Sequence, residues 1–173
     1  ADDESQWARV LTPMAGKDRG IYFLPEVDDE VLVAFDHGDI DYPYVLGALW
    51  NSEDSPPETN SDGNNNIRMI RSRSGHEIIF NDDGTAHQEK IEIHTNAGHI
   101  ILMNDSSGQE KIEIIDKTGN NKMTIDSVRN LINIESTMQL KIKSGMIEIE
   151  ATGMMTIKAG ATLTIEGAMV NIN

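Results

Sequence analysis

An all-β chain is predicted, a small antiparallel barrel followed by a long shaft in which three identical chains intertwine as a β-helix. Three observations carry this. Short β-branched and aromatic runs are punctuated by turn residues up to Trp50. A polar, apolar-poor stretch follows. Thereafter pairs of aliphatic residues separated by a single residue recur to the end of the sequence, and no 3.6-residue period competes with them.

The first region, residues 1–50, contains WARVL (7–11), GIYFL (20–24), EVLVAF (30–35) and YVLGALW (44–50), each bounded by Pro, Gly or Asp. Four strands are few for a closed barrel, so a further strand is expected upstream of this sequence. Residues 51–66, NSEDSPPETNSDGNNN, hold almost no apolar side chain and include Pro56-Pro57. They read as a connector.

Residues 67–173 read as strand and turn. The pairs Ile91/Ile93, Ile112/Ile114, Met123/Ile125, Ile132/Ile134, Leu140/Ile142, Ile147/Ile149, Met155/Ile157, Leu163/Ile165 and Val170/Ile172 each place two side chains on one face of a strand. The residue between them, often Glu, Lys, Thr or Asn, is expected in water. From Ile132 the first members advance by 8, 7, 8, 8 and 7 residues; before it the steps are longer, with wide turns such as DSSGQE and KTGNN. A single-chain β-helix needs roughly 18 or more residues per turn to close on itself. An octad cannot do this alone. Three intertwined chains can, with every stripe directed at a common axis and each aliphatic side chain contributing roughly 1.5–3 kcal/mol on burial. The pairs from Ile91 to Ile165 are therefore the expected trimer core.

Composition narrows the functional classes. The 173-residue chain is only 38% hydrophobic and 5% aromatic, thin for a single round core. Its formal charge of −15 is concentrated in residues 1–60, which carry 14 acidic and 3 basic groups. Such a head repels phosphate and offers no basic groove with stacking aromatics, so nucleic acid is not an expected partner. No cysteine is present for disulfides or thiolate metal sites. No basic-then-apolar leader opens the sequence, and no run is long enough to span a bilayer as a helix.

GIYFLPEVDDEVLVAFDHGDIDYPYVLGALWN (20–51), preceded by WARV (7–10), resembles the OB-like domain of VgrG proteins and phage baseplate spikes. RSRSGHEIIFNDD (71–83) resembles that family's entry into its triple-stranded β-helix, and the octad tail resembles its shaft. One departure stands out: where the family usually has Gly before the acidic residue of the first turn, this chain has Asp28-Asp29. Aspartate tolerates a left-handed turn, so the turn is expected to survive. The family's hub-forming domains are missing from this sequence, which looks like the C-terminal part of a longer protein.

The resemblance implies a function: the central spike of a contractile injection system (type VI secretion, extracellular injection particle or phage tail), mechanical and non-enzymatic, which pierces a target membrane. It implies a homotrimer, inner-tube and baseplate hub proteins on the N-terminal side, and a PAAR-like tip protein at the other end. The spike would be made in the cytoplasm and delivered outward. Gly167, Ala168, Met169, Val170, Asn171, Ile172 and Asn173 are the expected docking platform for that tip. A trimeric tailspike or adhesin stalk with a carbohydrate-binding or depolymerase role is the alternative, but the turns are short for holding a sugar.

No catalytic, metal or cofactor site is expected. Some phage spikes hold iron through a His-x-His pair, and none of His37, His76, His87, His94 and His99 forms one. The carboxylate clusters (Asp28, Asp29 and Glu30; Asp36, Asp39 and Asp41; Asp82 and Asp83) match no calcium-loop pattern and read as turn residues. The methionines Met138, Met146, Met154, Met155 and Met169 read as gap-fillers around a threefold axis. Ser74 has His76 nearby but no nucleophile elbow.

Overall fold

The computed structural model describes residues 7–172. It divides into two units, Ala1–Thr137 and Met138–Asn173.

In the first unit, β1 (Arg9–Val10), β5 (Pro43–Ala48) and β4 (Val31–Phe35) form a three-stranded sheet in the order β1-β5-β4. Strand β1 runs parallel to β5, with Val10 opposite Val45, and β4 runs antiparallel to it with a register shift between Leu32 and Val33. Val45 is the one buried hydrophobic residue among those described, as expected for the middle of the central strand. A tight hairpin, β2 (Ala15–Gly16) and β3 (Arg19–Gly20), turns through Lys17-Asp18 with Asp18 at φ 55.

That hairpin corrects one expectation. GIYFL contributes only Gly20 to a strand; the Ile21 N–H still donates to the Met14 carbonyl at 3.0 Å, but residues 22–24 join no ladder among the described residues. Pro25 follows directly and supplies no donor to extend the pairing. The Asp28 turn meets its expectation. Asp28 sits at φ 77, and the Asp29 carboxylate accepts the Glu26 N–H at 2.7 Å, closing the turn without glycine.

Beyond the connector lies a seven-stranded antiparallel meander: β6 (Ile67–Arg71), β7 (Glu77–Asn81), β8 (Lys90–His94), β9 (Ile100–Asn104), β10 (Lys111–Ile115), β11 (Asn121–Asp126) and β12 (Leu131–Ser136), each pairing with the next. The local sequence repeats with the fold. Gln88-Glu89-Lys90-Ile91-Glu92-Ile93 returns as Gln109-Glu110-Lys111-Ile112-Glu113-Ile114, 21 positions on. Ser72-Arg73-Ser74-Gly75-His76 has a counterpart in Thr95-Asn96-Ala97-Gly98-His99. Each of these turns needs its glycine, since Gly75 lies at φ 83 and Gly98 at φ 95.

The second unit has no ladder-paired strand among residues 138–172. The strands expected at the octad pairs thus form no ladder within one chain. The physical reason is the step length: seven or eight residues make one short strand and leave none to turn back along its own edge.

Candidate assembly surface

Residues directly opposite one another in an antiparallel ladder share a face. The meander register therefore sorts every strand residue to one side or the other. One row runs Ile70, Ile78, Ile93, Ile101, Ile114, Met123, Ile134. A second row on the same face runs Arg68, Phe80, Ile91, Met103, Ile112, Ile125, Ile132. Apart from Arg68 both rows are apolar, with the Asn121–Ser136 pair lying beyond them on the same face, and their side chains stand open: Ile114 is 51% and Ile132 66% exposed. A contiguous patch of this kind marks an interaction surface.

The predicted core residues of this unit, Ile91, Ile93, Ile112, Ile114, Met123, Ile125, Ile132 and Ile134, all fall on that face. Five further members, Ile70, Ile78, Phe80, Ile101 and Met103, come from EIIF, IILM and the first strand. The available signal was the ladder itself, because a run with no polar interruption does not reveal which alternate residues point inward.

The opposite face was expected in water, and here the structure differs. Glu113 is 7% exposed. Lys111 Nζ lies 2.9 Å and Lys122 Nζ 3.9 Å from its carboxylate, and the Thr124 hydroxyl donates to it at 3.2 Å. Glu92, one repeat earlier, pairs with Lys90 at 3.3 Å and lies 3.6 Å from His94 Nε2. The cause is lateral crowding. Glu113 stands between Leu102 and Thr124 on the neighbouring strands, Glu92 between Ile79 and Leu102, and lysine side chains reach their carboxylates.

In the second unit the predicted core residues Leu140, Ile142, Ile147, Ile149, Met155, Ile157, Leu163 and Ile165 are all exposed within the single chain. So are Met138 and Met154, at 94% and 89%. Of the expected tip-docking residues, Gly167, Ala168, Met169, Val170, Asn171 and Ile172 are exposed, and Asn173 lies outside the described residues.

Asp29, Asp39 and Asp83 of the carboxylate clusters cap turns, as does Asp116 outside them. Asp83 accepts from Thr85 and Ala86, and these bonds hold its carboxyl below the usual range. Asp116 accepts the Asn121 N–H and the Thr118 hydroxyl, which lower it to about 2. Among the described residues no group of three or more His, Asp or Glu is arranged to hold a metal ion. None of the described helices is long and apolar enough to cross a membrane.

Comparison with known proteins agrees with this architecture. Residues 1–50 match the family model of the type VI secretion system/phage-baseplate injector OB domain. Over 113 residues the chain is 34% identical to type VI secretion system spike protein VgrG5 of Pseudomonas aeruginosa, covering 53% of this chain and 14% of that protein. Over 125 residues it is 31% identical to VgrG1c of the same organism, covering 66% of this chain and 17% of the relative. It is 26% identical over 161 residues to the actin cross-linking toxin VgrG1 of Vibrio cholerae, covering 88% of this chain and 14% of that protein. The chain thus spans less than a fifth of the length of these curated relatives. With an injector OB domain matched at residues 1–50 and similarity to spike proteins extending into the β-rich region, the chain is similar to the VgrG and phage-baseplate spike proteins.

Proposed function

We propose that this chain is a segment of the central spike of a contractile injection system, a homotrimer whose role is mechanical rather than catalytic. The observation that carries the reading is the open apolar face of the meander, two rows deep across seven strands. Three copies related by a threefold axis would turn that face inward and leave outside the face that carries Glu92 and Glu113 with their lysines and half-buried aliphatics such as Ile79 and Leu102. The octad pairs of the second unit would pack among three chains in the same manner, each chain supplying the strand edges that another lacks.

In this reading residues 1–50 are the OB-like domain, 51–66 the connector and 67–173 the shaft. The core comprises the predicted pairs from Ile91 to Ile165. A stiff prism of cross-paired strands transmits axial force, which suits a part driven through a target envelope. The spike would travel outward with the injection machinery, seated on hub and inner-tube proteins. Light scattering coupled to gel filtration is expected to give a particle of three times 19.1 kDa. A folded, monodisperse monomer would refute the assembly.

The same proposal places a PAAR-like tip protein on residues 167–173. Exposed Met169, Val170 and Ile172 offer it an apolar patch, and residues 167–172, which join no ladder among the described residues, would offer strand-edge hydrogen bonds. Deleting residues 167–173 is expected to leave a trimer while eliminating capture of the PAAR-like protein encoded nearby. Undiminished capture by the deletion variant would place the docking elsewhere.

A further inference from the structure

The two matching turns at one edge of the meander are tied to their neighbours through histidine rings. His76 Nδ1 accepts the N–H of Asn96 at 3.2 Å, and His99 Nδ1 accepts the N–H of Lys117 at 3.2 Å. Asn96 and Lys117 occupy the following turn along the edge in each case. The main chain of each histidine is held in its turn, because its backbone N–H donates to a hydroxyl at 3.0 Å: Ser72 Oγ for His76, Thr95 Oγ1 for His99. The turns also touch. A Cβ placed on Gly75 would lie 3.3 Å from Asn96 Oδ1, and one on Gly98 would lie 3.7 Å from Lys117 Cβ. The result is a chain of contacts running from turn 72–76 to turn 95–99 to turn 116–121.

A neutral imidazole can accept at Nδ1 only while its proton sits on Nε2, and a protonated ring has two donors and no acceptor. We propose that His76 and His99 form an acid-sensitive latch that joins successive turns of the sheet edge. Uptake of a proton by either ring turns an accepting Nδ1 into a donor facing a backbone N–H, and that junction opens. Imidazoles in general change charge between about pH 5 and 8.

The charged groups around the rings are accounted for on each packed element. Arg73, in the turn of His76, pairs with Glu26 of the Asp28 loop. Glu77, next to His76, pairs with Arg71 at 3.1 Å. Glu77 also faces His94 across the β7–β8 ladder, and His94 in turn lies near Glu92. Turn residues 95–98, which pack on His76, carry no charge. Asp116 and Lys117 are the charged residues of the turn next to His99, and Asp116 stays anionic because its carboxyl is held at about 2.

The test is hydrogen exchange on the full chain, read at the Asn96 and Lys117 amides as protection relative to the unstructured rate at each pH. Between pH 8 and pH 5 protection at both amides is expected to fall about fivefold or more, the effect of losing one hydrogen bond. In H76N/H99N the asparagine side-chain oxygen accepts in place of Nδ1 and does not titrate, so protection should change little with pH. Pairwise replacement by alanine should lower protection at both pH values. An unchanged parent, or an equal fall in parent and H76N/H99N, would overturn the latch and assign the acid response to carboxylates.

Discussion

Replacing Ile149 with Asp is expected to abolish the trimer, whereas Glu148→Lys next to it should leave assembly close to that of the parent. In a single chain Ile149 is 73% exposed, so an aspartate there would be tolerated. In three chains sharing an axis it becomes one of three carboxylates brought together out of water, with a desolvation cost of several kcal/mol per ion. Glu148 alternates to the other side of the strand and remains solvated. Sedimentation velocity at matched concentrations separates the cases, with association of the aspartate variant weakened on the order of a hundredfold or more. Equal loss in the two variants would mean that the octad faces are reversed.

Ile114→Asp probes the meander in the same spirit, and its expected effect is nearly as large. Ile114 stands between Ile101 and Met123 in the middle of the apolar face. If that face met only water, a carboxylate would cost little. On a buried axis the variant loses aliphatic burial and also desolvates a charge, together at least about 3 kcal/mol per chain. Asn120→Asp adds the same charge in an exposed turn and serves as its control. Denaturant unfolding followed by circular dichroism should show a clear shift of midpoint for the first variant alone. Coincident curves would indicate that the face is solvated.

The all-β class was legible from alternation, and the register confirms why. Wherever a single polar residue separated two aliphatics, as in Ile91-Glu92-Ile93 or Ile112-Glu113-Ile114, both aliphatics lie on one face. Where apolar residues ran on unbroken, as in Ile100-Ile101-Leu102-Met103, alternation could not choose a face and only strand pairing decides. The intervening glutamates show a different limit. Polarity located them opposite the apolar face, but not in water, because what encloses Glu113 is spread over three strands: Lys111 on its own, Leu102 on the one before and Lys122 on the next. The GIYFL segment shows a third: its composition favours a strand, yet a ladder also requires a neighbour. The turn through Asp28 was readable because it depends on one residue's own backbone preference.

The repeat of Gln88–Ile93 at Gln109–Ile114 has a further consequence, for length. One 21-residue period of that repeat spans a complete hairpin, so each period brings two strands and returns the chain to the same edge facing the same way. Adding or removing one period would change the stack by roughly 10 Å while keeping the apolar rows continuous and the histidine turns aligned. Adding a single strand would send every later turn to the opposite edge. Lengthening by duplication within this sheet is therefore quantised: the increment is the hairpin, and intermediate sizes are unavailable without rebuilding everything downstream.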